Sequence, residues 1–243
     1  MIEDSDLFGR ALADWAAGGT DPETLERDDG YTETGMGHEL YVAGFGQWLP
    51  AERRAMRYVQ GRTLDVGCAA GRVPLYLQER GHPVVGLDSS PLAVGTARSR
   101  GVKEVWCMAV DAATAHIDSF DTIILFGNNF GIFGTPARLR RVLSSWARRT
   151  PPGARILAGS INPYCGGAPV ITRDYYFANR RRGRSPGQVR LRNRYQDRVG
   201  PWFSWLFVSR REMAVMLRGT GWRPSRILGA TPVDPYVAVL EKG

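Results

Sequence analysis

Three acidic positions, each directly after an apolar stretch, are the residues whose type and spacing could bind a ligand. The first lies within residues 63–75, Thr-Leu-Asp-Val-Gly-Cys-Ala-Ala-Gly-Arg-Val-Pro-Leu. The apolar residues before Gly67 and the run after Gly71 predict a strand, a small-residue turn and a helix. Gly67 allows backbone angles that a side chain would forbid, and Gly71 lets the helix begin close to a ligand. The first amides of that helix are donors without intrahelical partners.

Such a turn suits many anionic ligands, so an NAD-dependent oxidoreductase is one alternative. A dinucleotide site needs Gly-x-Gly-x-x-Gly, in which the backbone closely approaches a pyrophosphate. This chain instead has Asp65-x-Gly67-x-x-x-Gly71, with a carboxylate directly before the turn. The spacing therefore argues against a pyrophosphate ligand.

The pattern from Asp65 to Gly71 resembles motif I of the class I (Rossmann-like) S-adenosylmethionine-dependent methyltransferases of the small-molecule type. Further segments resemble the same family in the correct order, and they are residues 84–90, 110–112, 120–131 and 151–157. The resemblance covers about residues 62–160 together with the last helix and strands. Ala69 departs from the family, which more often has a glycine in this turn.

The resemblance implies S-adenosyl-L-methionine as cofactor, and its ammonium and sulfonium groups suit an acid at Asp65. The family's acid at the position of Asp88 binds both ribose hydroxyls, as a carboxylate with two acceptor oxygens can. The acid at the position of Asp111 reaches the adenine amino group, although Asp111 could equally cap a helix. The predicted cofactor contacts are Tyr31, Asp65, Gly67, Cys68, Ala69, Gly71, Asp88, Ser89, Asp111, Ala112, Phe126 and Gly127.

Two residues are predicted to be catalytic. His38 ends a glycine-rich segment, residues 29–38, that is predicted to be a lid, and the pKa of an imidazole suits a general base. Asn128 follows the fourth strand, at the edge where open α/β sheets bind ligands, but asparagine is also a turn residue. The predicted substrate contacts are His38, Asn128, Asn129, Tyr175, Trp202 and Trp205. No metal ligand set is predicted.

An alternation of strands and helices must position these residues. Short apolar strands are predicted at residues 63–66, 83–87, 104–108, 121–126 and 154–158, with helices at 72–80, 91–100 and 136–149. Such alternation indicates right-handed crossovers and a parallel sheet. A helix at 209–218 and strands at 225–228 and 236–240 complete the pattern. The fold class is α/β, with a seven-stranded, mostly parallel, doubly wound sheet whose last strand is antiparallel.

The flanking segments add an N-terminal helical cap and an antiparallel β insertion after the fifth strand. In the cap, residues 6–15 and 50–60 are predicted to be helical, and residues 20–23 resemble a helix start because of Pro22. The predicted organisation within one compact domain is a cap or lid (1–60), a Rossmann-like cofactor-binding core (61–160), a substrate-side insertion (161–208) and a C-terminal completion of the sheet (209–243).

Charge is distributed unevenly along the chain. Residues 1–30 contain nine acidic residues, and residues 173–198 contain nine arginines. The acidic segment, or a second subunit of a homodimer, is a candidate partner for these arginines, so nucleic acid is not favoured as a ligand. The sequence shows neither a signal peptide nor a transmembrane run, which predicts a cytoplasmic protein. Three scattered cysteines predict neither disulfides nor a metal cluster.

The predicted function is transfer of a methyl group to an aromatic or apolar small molecule. The arginine-rich composition suggests bacterial natural-product tailoring as a setting. Two further alternatives stay open, namely an RNA methyltransferase that uses the arginine-rich patch at residues 180–198, and a non-catalytic methyltransferase-like binding protein.

Overall fold

The computed structural model describes residues 5–35, 37–164, 172–231 and 234–243. The helices are α1 (Leu7–Ala16), α2 (Glu39–Val42), α3 (Pro50–Ala55), α4 (Arg72–Glu79), α5 (Pro91–Ser99), α6 (Pro136–Arg149), α7 (Arg173–Arg181) and α8 (Arg210–Met216). The strands are β1 (Thr24–Arg27), β2 (Thr32–Thr34), β3 (Thr63–Val66), β4 (Val84–Asp88), β5 (Val105–Cys107), β6 (Thr122–Leu125), β7 (Arg155–Ser160), β8 (Gln188–Tyr195), β9 (Arg198–Val199), β10 (Phe203–Leu206), β11 (Trp222–Leu228) and β12 (Tyr236–Lys242). Short 3-10 turns lie at Phe45–Gln47, Met56–Tyr58, Ala112–Ala115, Ile117–Ser119 and Asn129–Gly131.

The larger sheet has seven strands in the order β11-β12-β7-β6-β3-β4-β5. Strands β3 to β7 run parallel, while β12 is antiparallel to both β7 and β11. The predicted seven-stranded, mostly parallel sheet with an antiparallel last strand is therefore confirmed. The strand order reverses between β3 and β6, and open α/β sheets bind ligands at such a switch point.

Both faces of this sheet are covered, which explains why its strands are almost continuously apolar. Ile123 and Leu125 of β6 belong to a core cluster that contains Trp146 of α6. Ile124 between them belongs to a second cluster on the other face, with Trp48. Alternating side chains of one strand thus serve two cores, so the strand cannot shift its register without exposing one of them.

A second sheet combines strands from the predicted N-terminal cap with strands from the predicted insertion. Its order is β10-β8-β1-β2, with β9 paired to β8, and its pairings are antiparallel. The prediction of a helix start at residues 20–23 is wrong, because Thr24–Arg27 form a strand between β2 and β8. Pro22 is a valid local signal, but pairing with a distant strand outweighs it.

The insertion also differs from its prediction in containing a helix, α7, besides its antiparallel strands. Asn179 on α7 explains part of this, since its side-chain amide donates to the carbonyl oxygens of Pro186 and Gln188. These bonds dock the helix against the start of β8. Cys165, one of the three scattered cysteines, lies outside the described residues.

A buried ion pair connects the N-terminal segment to the parallel sheet. Both oxygens of Glu52 on α3 accept hydrogen bonds from Arg72 of α4, each at 2.9 Å. Glu52 also accepts the backbone amide of Gly127 at 3.1 Å, just after β6. The guanidinium lies 4.7 Å from the ring centre of Trp48, so a cation–π contact completes the cluster.

Glu52→Gln is expected to lower the free energy of unfolding by about 3 kcal/mol, because it leaves a largely buried guanidinium without its counter-charge. The matched control is Glu104→Gln, which breaks a pair with Arg62 whose side chains are 49% and 38% exposed. That change should cost less than about 1 kcal/mol. Urea unfolding of the two variants measures both values, and equal costs would contradict the importance given to the buried pair.

Candidate functional site

A cavity of about 870 Å³ lies over the carboxyl ends of β3, β4 and β6. One wall is formed by the turn after β3 and the end of β4, including Asp65, Ala69 and Asp88. A second wall includes Phe203 and Trp205 of the second sheet. Pockets for drug-sized molecules measure roughly 300 to 1,000 Å³, so this cavity has the size of a ligand site.

Asp88 ends β4 and holds the turn after β3 in place. Its Oδ2 accepts the backbone N–H of Ala69 at 2.9 Å, and its Oδ1 accepts that of Ser90 at 3.0 Å. Burial raises the pKa of this carboxyl, while these backbone bonds oppose the rise. Each carboxylate oxygen can accept a second hydrogen bond, so Asp88 can still receive two donors from a ligand in the cavity.

The turn after β3 needs glycine at position 67 for its backbone angle and because a side chain there would lack space. Gly67 has a φ of 75°, and a Cβ there would lie 2.4 Å from Nδ2 of Asn129. That amide is fixed, because it donates to the carbonyl oxygens of Val66 and Gly67 at 2.9 and 3.1 Å. Ala69 also has a positive φ, 46°, in a position where the family more often has glycine. Gly67, Cys68, Ala69 and Asn129 line the cavity.

Gly71 acts one layer further out. Its φ is 81°, and a Cβ would lie 2.4 Å from Cγ2 of Val102. It begins α4 but is not among the residues that line the cavity. In the structure, Gly71 lets α4 pack against Val102, and its predicted cofactor contact stays a prediction.

Asp65 is buried on β3 and faces the cavity. Burial raises its pKa to about 7, although the nearby Arg72 favours the ionised form. A cationic group in the cavity would restore the charge on this carboxylate. Burial also raises the pKa of the neighbouring thiol of Cys68, which argues against a nucleophilic cysteine.

Asn128 lines the cavity but has few free hydrogen-bonding groups. Its Oδ1 accepts from Oγ of Ser160 at 3.1 Å and from the amide of Ile161 at 3.2 Å. Its Nδ2 donates to the carbonyl oxygen of Leu206 at 3.4 Å. With a φ of 70°, Asn128 turns the chain and links β6, β7 and β10. This placement favours a positioning role over the predicted catalytic one.

His38, the other predicted catalytic residue, does not line the cavity. Its ring is buried, and the ring centre lies 6.3 Å from that of Tyr41 and 6.5 Å from that of Trp15. Neither ring nitrogen has a hydrogen-bond partner among the described residues. Burial lowers the pKa of the imidazole. The side chain packs against Tyr41, which itself lines the cavity, and the catalytic role of His38 stays a prediction.

Asp111 and Ala112, predicted to contact the cofactor, also lie outside the cavity lining. Asp111 pairs with Arg138 of α6 through two nitrogens and with Arg141 at 3.1 Å. Hydrogen bonds from Arg138 hold the pKa of Asp111 below its usual range. The cavity is lined at this point by Val110 and by Arg138 itself.

Tyr31 is likewise removed from the cavity. Its hydroxyl donates to Glu33, and its ring lies 4.6 Å from the guanidinium of Arg27. Tyr175 packs on the same guanidinium at 4.3 Å and donates its hydroxyl to Asp28. Both tyrosines thus stabilise the second sheet around Arg27 rather than contact a ligand in the cavity.

The two faces of the second sheet differ in their chemistry. Phe203 and Trp205 are two residues apart on β10, so they share a face and both line the cavity. Trp202 lies outside it, with Arg190 and Arg192 at 5.5 and 4.5 Å from its ring. Of the two tryptophans predicted to bind substrate, the structure therefore brings only Trp205 to the cavity. Ser89, Phe126 and Gly127 line it as well.

Several lining residues were not predicted, and they are Asp6, Phe8, Glu23, Leu25, Tyr41, Arg72, Asn193 and Phe207. Asp6 caps α1 and accepts Oγ of Ser90 at 2.7 Å and the amide of Leu92 at 3.2 Å. Residues 23–27, Glu-Thr-Leu-Glu-Arg, contain one apolar residue and no alternation, so the sequence carries no local signal for Glu23 or Leu25.

Residues 63–153 match the family model described as a methyltransferase domain. A curated relative, the 2-heptyl-1-hydroxyquinolin-4(1H)-one methyltransferase of Mycobacteroides abscessus, is 36% identical over 106 residues. That match covers 41% of this chain and 45% of the relative, so it spans less than half the relative's length. The sequence resemblance to class I S-adenosylmethionine-dependent methyltransferases is thereby confirmed.

The fold is similar to that of solved methyltransferases. A Bacteroides fragilis enzyme in complex with S-adenosyl-L-homocysteine has a TM-score of 0.79 and 23% identity, with 99% of this chain and 96% of that chain covered. A Methanosarcina mazei methyltransferase has a TM-score of 0.60 and 18% identity, with 78% and 96% covered. The first likeness extends through the second sheet as well as the parallel core, since it spans nearly the whole chain.

Gly67→Ala is expected to destabilise the protein by roughly 1 to 3 kcal/mol more than Gly81→Ala, because its Cβ would overlap the fixed amide of Asn129. Gly81 has the same φ of 75°, but a Cβ added there would have nothing within 4 Å of it. It therefore controls for backbone strain alone, which costs roughly 1 to 2 kcal/mol. Urea unfolding compares the two, and equal losses would show that the turn has space for a side chain.

Proposed function

From the premise of a methyltransferase domain at residues 63–153, we propose that this chain transfers a methyl group from S-adenosylmethionine to a small aromatic or apolar molecule. The observation that carries this proposal is one cavity with two chemically different walls. One wall presents the carboxylates of Asp65 and Asp88, and the other presents Phe203 and Trp205. A polar cationic cofactor and an apolar acceptor would each find a matching surface.

The residues of the first wall fit the cofactor. Asp88 keeps one free acceptor site on each oxygen, which matches two ribose hydroxyls. Asp65 is a buried carboxylate that gains from a neighbouring cation, and the cofactor's amino-acid end carries an ammonium. Gly67 lets the turn accept the amide of Asn129, which donates to the turn's own carbonyl oxygens beside Asp65. When bound, the cofactor supplies a methyl group on a positively charged sulfur, which is a good leaving group.

The protein's own contribution is then to align the acceptor and exclude water. Phe203, Trp205 and Phe207 provide flat apolar surfaces for an aromatic ring on the second sheet and just beyond it. The indole nitrogen of Trp205 donates to the carbonyl oxygen of Asn128 at 3.3 Å, so this ring is held in position. The relative named for a 2-heptyl-1-hydroxyquinolin-4(1H)-one substrate supports an aromatic acceptor, and natural-product tailoring is the setting that we propose for this reaction.

The arginine-rich patch gives less support to the RNA alternative. Glu26 on β1 pairs with Arg192 at 2.6 Å and with Arg194 at 2.7 Å. Arg190 lies over Trp202 beside them, on the face of the sheet that points away from the cavity. These arginines therefore contact other side chains of the protein. They lie on the face of the second sheet that points away from the acids of the first wall. Among the described residues, no helix is long and apolar enough to cross a membrane.

Asp88→Ala is expected to weaken S-adenosylhomocysteine binding at least thirtyfold. The change removes two hydrogen bonds to a charged group, which contribute roughly 1.5 to 3 kcal/mol each. It also releases the backbone of Ala69 and Ser90. Isothermal titration calorimetry measures the affinity.

The matched control is Asp118→Ala, which removes an exposed carboxylate outside the cavity lining and should leave the affinity unchanged. The thermal midpoint of each variant without ligand separates lost binding from lost folding. A wild-type protein that binds neither S-adenosylmethionine nor S-adenosylhomocysteine would refute the proposed function. Equal affinities of the wild type and Asp88→Ala would refute the assignment of Asp88.

The affinity for S-adenosylhomocysteine should also rise about fivefold between pH 6 and pH 7.5. The pKa of Asp65 is about 7 without ligand, and a bound ammonium lowers it, so binding releases a proton and is favoured as the pH rises. Calorimetry at both values should show a flat profile for Asp65→Asn and the wild-type rise for Asp118→Asn. A rise that persists in Asp65→Asn would assign the pH dependence to another group.

A further inference from the structure

We propose that Glu23 accepts the proton of a hydroxyl-bearing aromatic acceptor, in a polar subsite that it forms together with Asn193. This inference rests on the proposed methyl transfer and specifies the acceptor and the base for it. Both residues line the cavity, and they lie on or directly before strands of the second sheet, outside the sequence segments that resemble the family's motifs.

Glu23 is an unpartnered carboxylate inside the cavity wall. It precedes β1, is 7% exposed and lines the cavity. Its Oε2 is buried and accepts no hydrogen bond from any residue that the structure describes. A buried acceptor without a partner is costly, and a ligand with an O–H or N–H group would remove that cost.

Asn193 on β8 presents a second acceptor on the same face. It lies directly opposite Leu25 in the pairing of β1 with β8, and Glu23 is two residues before Leu25. Residues two apart on a strand and residues directly opposite share a face. Oδ1 of Asn193 is also buried without a partner among the described residues. Two unsatisfied acceptors on one face match a ligand that carries polar hydrogen atoms.

The hairpin of β1 and β2 holds Glu23 in this position. The amide of Gly35, just after β2, donates to the carbonyl oxygen of Glu23 at 2.9 Å. A Cβ on Gly35 would lie 2.7 Å from Cγ of Glu23, so the hairpin packs closely against this side chain. The carboxyl group is therefore directed by tight packing and has little freedom to turn away.

Tyr41 lines the cavity together with Glu23 and Asp88. Burial raises the pKa of the Tyr41 hydroxyl, and the charges of Glu23 and Asp88 raise it further. Tyr41 thus lies within electrostatic reach of both carboxylates. Burial raises the pKa of Glu23 to about 7, which is the range in which a general base works near neutral pH.

The proposed step transfers one methyl group and one proton. The bond between the methyl carbon and the sulfur breaks, and its electron pair remains on the sulfur. The acceptor oxygen forms the new bond to the methyl carbon and loses its proton to the carboxylate of Glu23. The products are S-adenosylhomocysteine and a methyl ether, and Glu23 afterwards releases the proton to solvent.

The test compares two ligands, 1-naphthol and 1-methoxynaphthalene, whose oxygen carries a proton in the first and a methyl group in the second. Each is titrated by calorimetry into the full-length protein saturated with S-adenosylhomocysteine. The wild type should bind 1-naphthol at least tenfold more tightly at pH 7.5, since a hydroxyl can donate to the Glu23 carboxylate and an ether cannot. That preference should shrink at pH 6, where Glu23 is mostly protonated.

Two variants of Glu23 separate hydrogen bonding from proton acceptance. Glu23→Leu removes the carboxylate but keeps Asn193 as an acceptor, so its preference for 1-naphthol should fall at least threefold below that of the wild type. Glu23→Gln keeps an acceptor but cannot titrate, so its preference for 1-naphthol should not change between pH 6 and pH 7.5. The control is Glu39→Leu, an exposed carboxylate outside the cavity lining, which should retain the wild-type preference and its pH dependence.

The outcomes distinguish this inference from the proposed function. Normal S-adenosylhomocysteine binding, together with a naphthol preference that is undiminished in Glu23→Leu or is absent in the wild type, would overturn the inference alone. A pH dependence that persists in Glu23→Gln would overturn the role as proton acceptor. Failure of the wild type to bind S-adenosylhomocysteine would overturn the proposed function and this inference with it.

Discussion

The burial of two carboxylates at the ends of adjacent parallel strands is the constraint on which the structure depends. Asp65 and Asp88 lie among apolar residues that raise the pKa of both. Keeping them charged requires nearby donors and cations, which the backbone turn after β3 and Arg72 supply. The turn can supply them only while Gly67 leaves room for Asn129. A cationic ligand would complete this arrangement, because the protein alone leaves the acids partly uncompensated.

The second sheet explains how segments far apart in sequence form one cavity wall. Strand β1 from the N-terminal part pairs with β8 from the insertion, and their charges match across the pair, as Glu26 does with Arg192 and Arg194. Residues of the acidic N-terminal segment and of the arginine-rich segment thus form ion pairs on the outer face of this sheet. The inner face is left to apolar residues and to Glu23 and Asn193, which face the cavity.

The parallel core could be predicted because its signals are local. Each strand is a short apolar run followed by a turn and a helix, so the pattern divides residues 63–160 correctly into elements. Strand β1 could not be predicted in this way, since its partner β8 lies more than 160 residues further along the chain. For the same reason the sequence does not predict Glu23 as a site residue, because its place in the cavity lining depends on the pairing of β1 with β8. Trp202 and Trp205 differ by three positions on an extended chain, and only the register of β10 decides which one faces the cavity.

The decisive measurement is a crystal structure of the protein with S-adenosylhomocysteine. We expect the ribose hydroxyls to contact Asp88, the ammonium to lie near Asp65, and the sulfur to face the wall formed by Glu23, Phe203 and Trp205. Density for the ligand elsewhere, or a ribose that makes no contact with Asp88, would contradict the two-walled site.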